Sequence, residues 1–225
     1  MKQHQPKLTW HLLYFGIAVG VILLVTGILT GVFFVSEATS APSGSILQTD
    51  AFLPGPYLSI TWSCPTGFIC PSTSYAAYGQ LPNSAVLPSL PDTGLLFVVA
   101  LVPLAVTLVV ALWFLMVFYP WRTAPLPRYR PFPRLLGVLG ATTLATEILT
   151  LLLVPTFLAS DLAKSPSGVP GELGPWNSIN GISNFGHLTL IWGPAAGFYL
   201  TFAAGILLVV VAALWSRVPQ APKAT

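Results

Sequence analysis

The stretch LLYFGIAVGVILLVTGILTGVFFV, residues 12–35, contains no charged side chain. A helix needs ~20 predominantly apolar residues to cross a bilayer core about 30 Å thick. Lys2 and Lys7 precede the stretch and small residues follow it at Ala38 to Ala41, the outline of a secretory signal. The apolar core of such a signal is typically ~7–15 residues long, so a retained span is the expectation here. Working outward, the chain offers four such spans, at about 10–35, 94–119, 135–159 and 187–215. They leave outer loops at 36–92 and 160–186 and an inner loop at 120–134, within a single membrane domain covering 1–225.

Charge orients these spans. Lys2, Lys7, Arg122, Arg128, Arg130, Arg134, Arg217 and Lys223 fall on one side and Lys164 on the other. A Lys/Arg excess beside the spans marks the cytoplasmic side. The expectation is a multi-pass protein of the cell membrane with both termini cytoplasmic. Trp10, Tyr14, Phe118, Tyr119, Trp121 and Trp215 gather at the inner interface, the depth amphipathic rings prefer. The chain is 54% hydrophobic and 7% charged, far below the roughly 25% charged residues of a soluble domain. Its net charge of +3 sits at membrane edges, where it meets lipid headgroups, so nucleic acid is excluded as a partner.

The first outer loop has no Lys or Arg and is rich in Ser, Thr and Pro. Phe52, Leu53, Tyr57, Leu58, Ile60, Trp62, Phe68 and Ile69 give it enough apolar surface to pack on its own bundle, the second outer loop or a partner. It also holds both cysteines, Cys64 and Cys70, with Pro65 and Gly67 between them. On the oxidising side of a membrane this spacing predicts a disulfide stapling a small hairpin. The rival is redox chemistry of the four-span thiol-oxidase kind, which uses a Cys-X-X-Cys pair plus a second pair, and this chain has neither. The fold expected is therefore an all-α integral membrane protein, a four-transmembrane-helix bundle with a large disulfide-stapled first outer loop.

The four spans, the large first outer loop and Trp62 shortly before Cys64 and Cys70 loosely resemble claudin-type tetraspan proteins. Claudins place Gly-Leu-Trp before the first cysteine and a longer gap before the second. This chain has neither, so the resemblance covers topology and three residues.

Three features inside or beside the spans bear on function. Gly16, Gly20, Gly27 and Gly31 form a stripe on span one, and Gly193 and Gly197 lie with Ala196, Ala204 and Gly205 on span four. Small residues let helix backbones approach closely where lipid removes the hydrophobic drive to associate. Glu147 is the one acidic residue within a span, with Thr143 at i−4 and Thr150 at i+3 on its face. A carboxyl at that depth either hydrogen-bonds structurally between helices or serves a proton or ligand pathway. Pro103, Pro155 and Pro194 occupy the outer halves of three spans, where each can kink its helix. The inner loop alternates prolines with Arg122, Arg128, Arg130 and Arg134, as a stiff inner-leaflet connector or a docking strip for a partner.

His4 and His11 lie at the inner edge and His187 at the outer start of span four, too far apart for shared ligation. No metal cluster, phosphate loop or nucleophile set is legible, and no cofactor is expected. The leading expectation is a non-catalytic accessory or assembly subunit of a larger membrane complex, partnered by the bilayer and by other membrane subunits or copies of itself. A small transporter or proton-linked channel component using Glu147 comes second, and a four-span adhesion or scaffold protein third.

Overall fold

The structure is a computed structural model that describes residues 6–41, 44–67, 69, 73–78, 90–118, 131–164, 178–185 and 188–217. In chain order its elements are α1 (Pro6–Thr30), β1 (Phe33–Ala41), β2 (Gly44–Phe52), β3 (Tyr57–Ser63), β4 (Ser74–Ala77), α2 (Pro91–Phe118), α3 (Pro131–Lys164), β5 (Gly181–Phe185), β6 (Leu188–Pro194) and α4 (Ala196–Arg217). Four helices are long and apolar enough to cross a membrane, over His11–Thr30, Pro91–Val117, Phe132–Asp161 and Ala196–Arg217. Large apolar side chains stay exposed along all of them, among them Phe15, Val109, Leu152 and Leu214, as lipid-facing helices require.

The all-α expectation is wrong. The segments between α1 and α2 and between α3 and α4 build one antiparallel sheet, in the order β4-β3-β2-β1-β6-β5. Strands from both connections meet where β1 pairs β6, Val35 opposite Trp192. Two of the apolar stretches therefore overrun their helices. Gly31 adopts a left-handed φ of 83°, which ends α1 as a glycine after a helix commonly does. Phe33 and Val35, read as the end of span one, then belong to β1. Likewise Leu188–Pro194 is strand β6, and α4 starts only at Ala196. Pro194 and Gly193 thus sit on a strand, whereas Pro103 and Pro155 do lie inside helices.

The disulfide expected to staple the first outer loop falls outside the described residues: Cys64 follows β3 directly, and Cys70 is not among them. Backbone pairing orders this connection: β1 with β2 from Phe33↔Phe52 to Ala41↔Gly44, then β2 with β3 and β3 with β4.

The chain divides into two compact units, to which all four helices contribute. The helical unit comprises Met1–Thr26, Pro103–Thr146 and Leu200–Thr225. Its core gathers Leu13, Ile17 and Val21 of α1, Ala111 and Phe114 of α2, Leu136 of α3, and Leu208, Val211 and Trp215 of α4. Phe114 meets Phe132 edge-on at 5.3 Å between ring centroids and Trp215 at 6.4 Å, favourable aromatic geometry. Gly140 and Gly205 mark a close crossing of α3 and α4. A Cβ on Gly140 would lie 2.7 Å from the Gly205 carbonyl oxygen.

The strand-bearing unit comprises Gly27–Val102 and Glu147–Tyr199. One face of its sheet packs Phe33, Val35, Phe52, Leu58, Ile60, Leu190 and Trp192 with Phe97 of α2 and Val154 and Leu158 of α3. Burying such a side chain contributes ~1.5–3 kcal/mol, so this shared core binds strands to helix ends firmly. Tyr78 stacks on Phe97 at 5.8 Å and donates its hydroxyl to the Leu53 carbonyl at 3.0 Å. Its ring lies against Gly94 of α2, where a Cβ would meet Tyr78 Cγ at 2.8 Å. Burial pushes the Tyr78 hydroxyl well above its usual range.

Candidate functional site: a sheet face and its polar supports

Strand alternation sorts the sheet residues onto two faces. Along β3, Leu58 and Ile60 are buried and alternate with Ser59, Thr61 and Ser63. The ladder carries this sorting across the sheet. Thr61 pairs Thr49, which pairs Ser36, which pairs Ile191, and Ile191 pairs Ile182. A neighbouring row runs Tyr75, Ser59, Ala51, Phe34 and Gly193. Ser36 and Thr49 join their hydroxyls at 2.9 Å, and Thr61 Oγ1 donates to the Thr49 carbonyl at 3.2 Å. No ionisable residue occupies this face in any of the six strands except through the phenols of Tyr57 and Tyr75. The two acidic strand residues, Glu37 and Asp50, both fall at the opposite registers.

Asp50 is 1% exposed on β2, and Gln48 Nε2 donates to its two carboxylate oxygens at 2.9 and 3.2 Å. Burial raises its carboxyl from 3.8 to about 6, while the Gln48 hydrogen bond pulls the other way. Apolar residues flank it in the ladder, Val35 on β1 and Ile60 on β3.

A second polar group clamps α2 to α3. Asp161 of α3 is 2% exposed, and it accepts the backbone N–H groups of Asp92 and Thr93 at 2.9 and 2.8 Å. These are first-turn donors of α2, which have no partner within their own helix. Asp161 is thus an N-cap supplied from another helix, and its negative charge also suits the positive helix end. Asp92 in turn pairs with Lys164 and accepts from Ser160 Oγ at 3.0 Å. The hydrogen bond to Asp92 raises the Lys164 ammonium above its usual value.

The residues singled out from sequence are distributed over both units. Glu147 is 1% exposed on α3 and belongs with Thr150, also buried, to the strand-bearing unit. Thr143 belongs to the helical unit, where its hydroxyl lies 3.0 Å from the Leu139 carbonyl and 3.3 Å from Thr107 Oγ1 of α2. Gly16 and Gly20 face Val211 and Leu208 of α4, whereas Gly27 and Gly31 meet Gly197 through their carbonyls. Gly193 faces Phe34 across the ladder. Arg134 lies in the first turns of α3, while Arg122, Arg128 and Arg130 lie outside the described residues, as do His4 and His187. Sequence reasoning missed the sheet face, Asp50 with Gln48, and the Asp161 cap. For the sheet a signal existed in the alternation of residues 57–63, YLSITWS, but the distant cap left none.

Among the described residues no group of three or more His, Cys, Asp or Glu side chains is placed to hold a metal ion. No protein-family model matches this chain, and no curated protein matches it.

Proposed function

We propose that this chain is a non-catalytic accessory or assembly subunit of a membrane protein complex, and that it meets its partner through the uncharged face of its sheet. The observation that carries the reading is the sorting of charge: Glu37 and Asp50 take the registers opposite to that face. Such a face is covered by another protein without stripping water from a charge, the step that makes ionic surfaces costly to bury. Its Tyr, Ser and Thr side chains combine apolar area with adaptable hydrogen bonding. The bias of Lys and Arg to the other side supports an extracellular sheet and cytoplasmic termini. An impermeant thiol reagent applied to whole cells then reaches a cysteine placed at Thr61.

Leu47 and Ser63 pair across β2 and β3, at face positions that are exposed. Leu47→Lys and Ser63→Lys should each reduce copurification of the partner from mild-detergent extracts at least tenfold. Thermal stability of the purified chain should move by no more than ~0.5 kcal/mol, as for ordinary surface substitutions. Undiminished copurification with both lysines present would remove the sheet face from the interface.

Buried Glu147 favours a second reading, a component of a proton- or cation-linked transporter. Glu147→Gln preserves size and donor capacity while removing the titratable group. On the subunit reading, vesicles reconstituted with wild type or variant show no proton flux above empty vesicles. A flux present in wild type and lost in the Gln variant promotes the transporter.

A further inference from the structure

We propose that Asp50 is a proton-responsive latch beneath the sheet, closed when its carboxyl is protonated and loosened when it is charged. The geometry confines this group closely. It is 1% exposed, its neighbours in the ladder are Val35 and Ile60, and its hydrogen-bond donor is the amide of Gln48. The six strands contain no Lys, Arg or His to offer a countercharge. On β1 the nearest titratable register position is Glu37, which pairs with Gln48; β3 presents Trp62 opposite that same Gln48. On β6 the residues at the inward registers are Leu190 and Trp192. The helical segments of this unit carry Asp92, Glu147, Asp161 and Lys164 as their charges. Asp92 is paired with Lys164, and Asp161 is committed to the first turn of α2.

Burial accordingly raises the Asp50 carboxyl to about 6, while Gln48 keeps it from rising further. In the opened sheet the group returns to its ordinary value of 3.8. The closed form therefore holds the proton more tightly than the open form. Closure is favoured in acid and weakens as the pH rises through about 6. Between pH 5 and pH 7.5 the opening equilibrium should increase roughly tenfold, following the difference between the two proton affinities. This device is independent of whether the sheet binds a partner.

Hydrogen exchange of the β2 and β3 amides in detergent, divided by intrinsic chemical rates, reads the opening directly. Wild type should lose about tenfold in protection from pH 5 to pH 7.5. Asp50→Asn carries no titratable group, so its protection should be level across that range. Gln48→Leu removes the donor that favours the charged carboxylate, so the midpoint of the transition should move to higher pH. The latch is refuted by level protection in wild type, or by the same loss in Asp50→Asn. Should Asp50→Asn fail to fold, an unmoved midpoint in Gln48→Leu refutes it alone.

Discussion

Gly197→Ala should lower stability by about 1–3 kcal/mol, at the upper end of that range, through overpacking. A Cβ at this position in α4 would run into the carbonyl oxygens of both Gly27 and Gly31. Those are backbone atoms, which cannot rotate out of the way as a side-chain tip can, so the two chain segments must separate. Gly137→Ala on α3 is the matched control, because its Cβ would meet Ala212 Cβ at an ordinary 3.4 Å. That variant should be neutral or slightly stabilising, since alanine favours helix over glycine by ~1 kcal/mol. Thermal unfolding of both variants in one detergent makes the comparison. Equal tolerance of the two would show that α4 does not approach these carbonyls as described.

The second large effect is expected at Asp161. Asp161→Ala should cost about 2–3 kcal/mol, because it leaves the N–H groups of Asp92 and Thr93 without their acceptor. Thr93 is fully buried, so water cannot replace the carboxylate there. Asp161→Asn keeps one acceptor oxygen and should recover part of the loss. The neighbouring Asp92–Lys164 pair is exposed to solvent, and Lys164→Met should be tolerated far better than Asp161→Ala. Denaturant titrations of the three variants at pH 7 test the ranking. A Lys164→Met loss as large as that of Asp161→Ala would show that the ion pair, rather than the cap, holds α2 to α3.

Part of this was legible because its causes are local. Whether a stretch can cross a membrane depends on its length, hydropathy and lack of charge, so the helical parts of all four apolar stretches could be read directly. Their ends were harder. Val32, Phe33 and Val35 are as apolar as the helix before them, and only Gly31 marks the change from α1 to β1. Likewise Leu188, Leu190, Ile191 and Trp192 continue the hydropathy of α4 while lying in β6. A strand buried on one face against helices looks apolar enough to be mistaken for the edge of a span. The alternation Leu58, Ile60 against Ser59, Thr61 was a local sign of sheet, in a segment whose Ser and Pro content argues for loop.

By itself, then, the sequence determined the four apolar helices, whose length, hydropathy and lack of charge are properties of single segments. The tertiary structure decided what depends on distant partners. Val35 meets Trp192 from the far connection, Asp161 caps a helix through the N–H of Asp92, 69 positions earlier, and Gly140 finds Gly205 on another helix. It also decided the register that puts Asp50 on the inward face, where one step of slippage along β2 would have turned it outward. Hydropathy is summed along the chain, whereas strand pairing, capping and burial are settled only when separate segments compete for the same backbone donors and the same apolar surface.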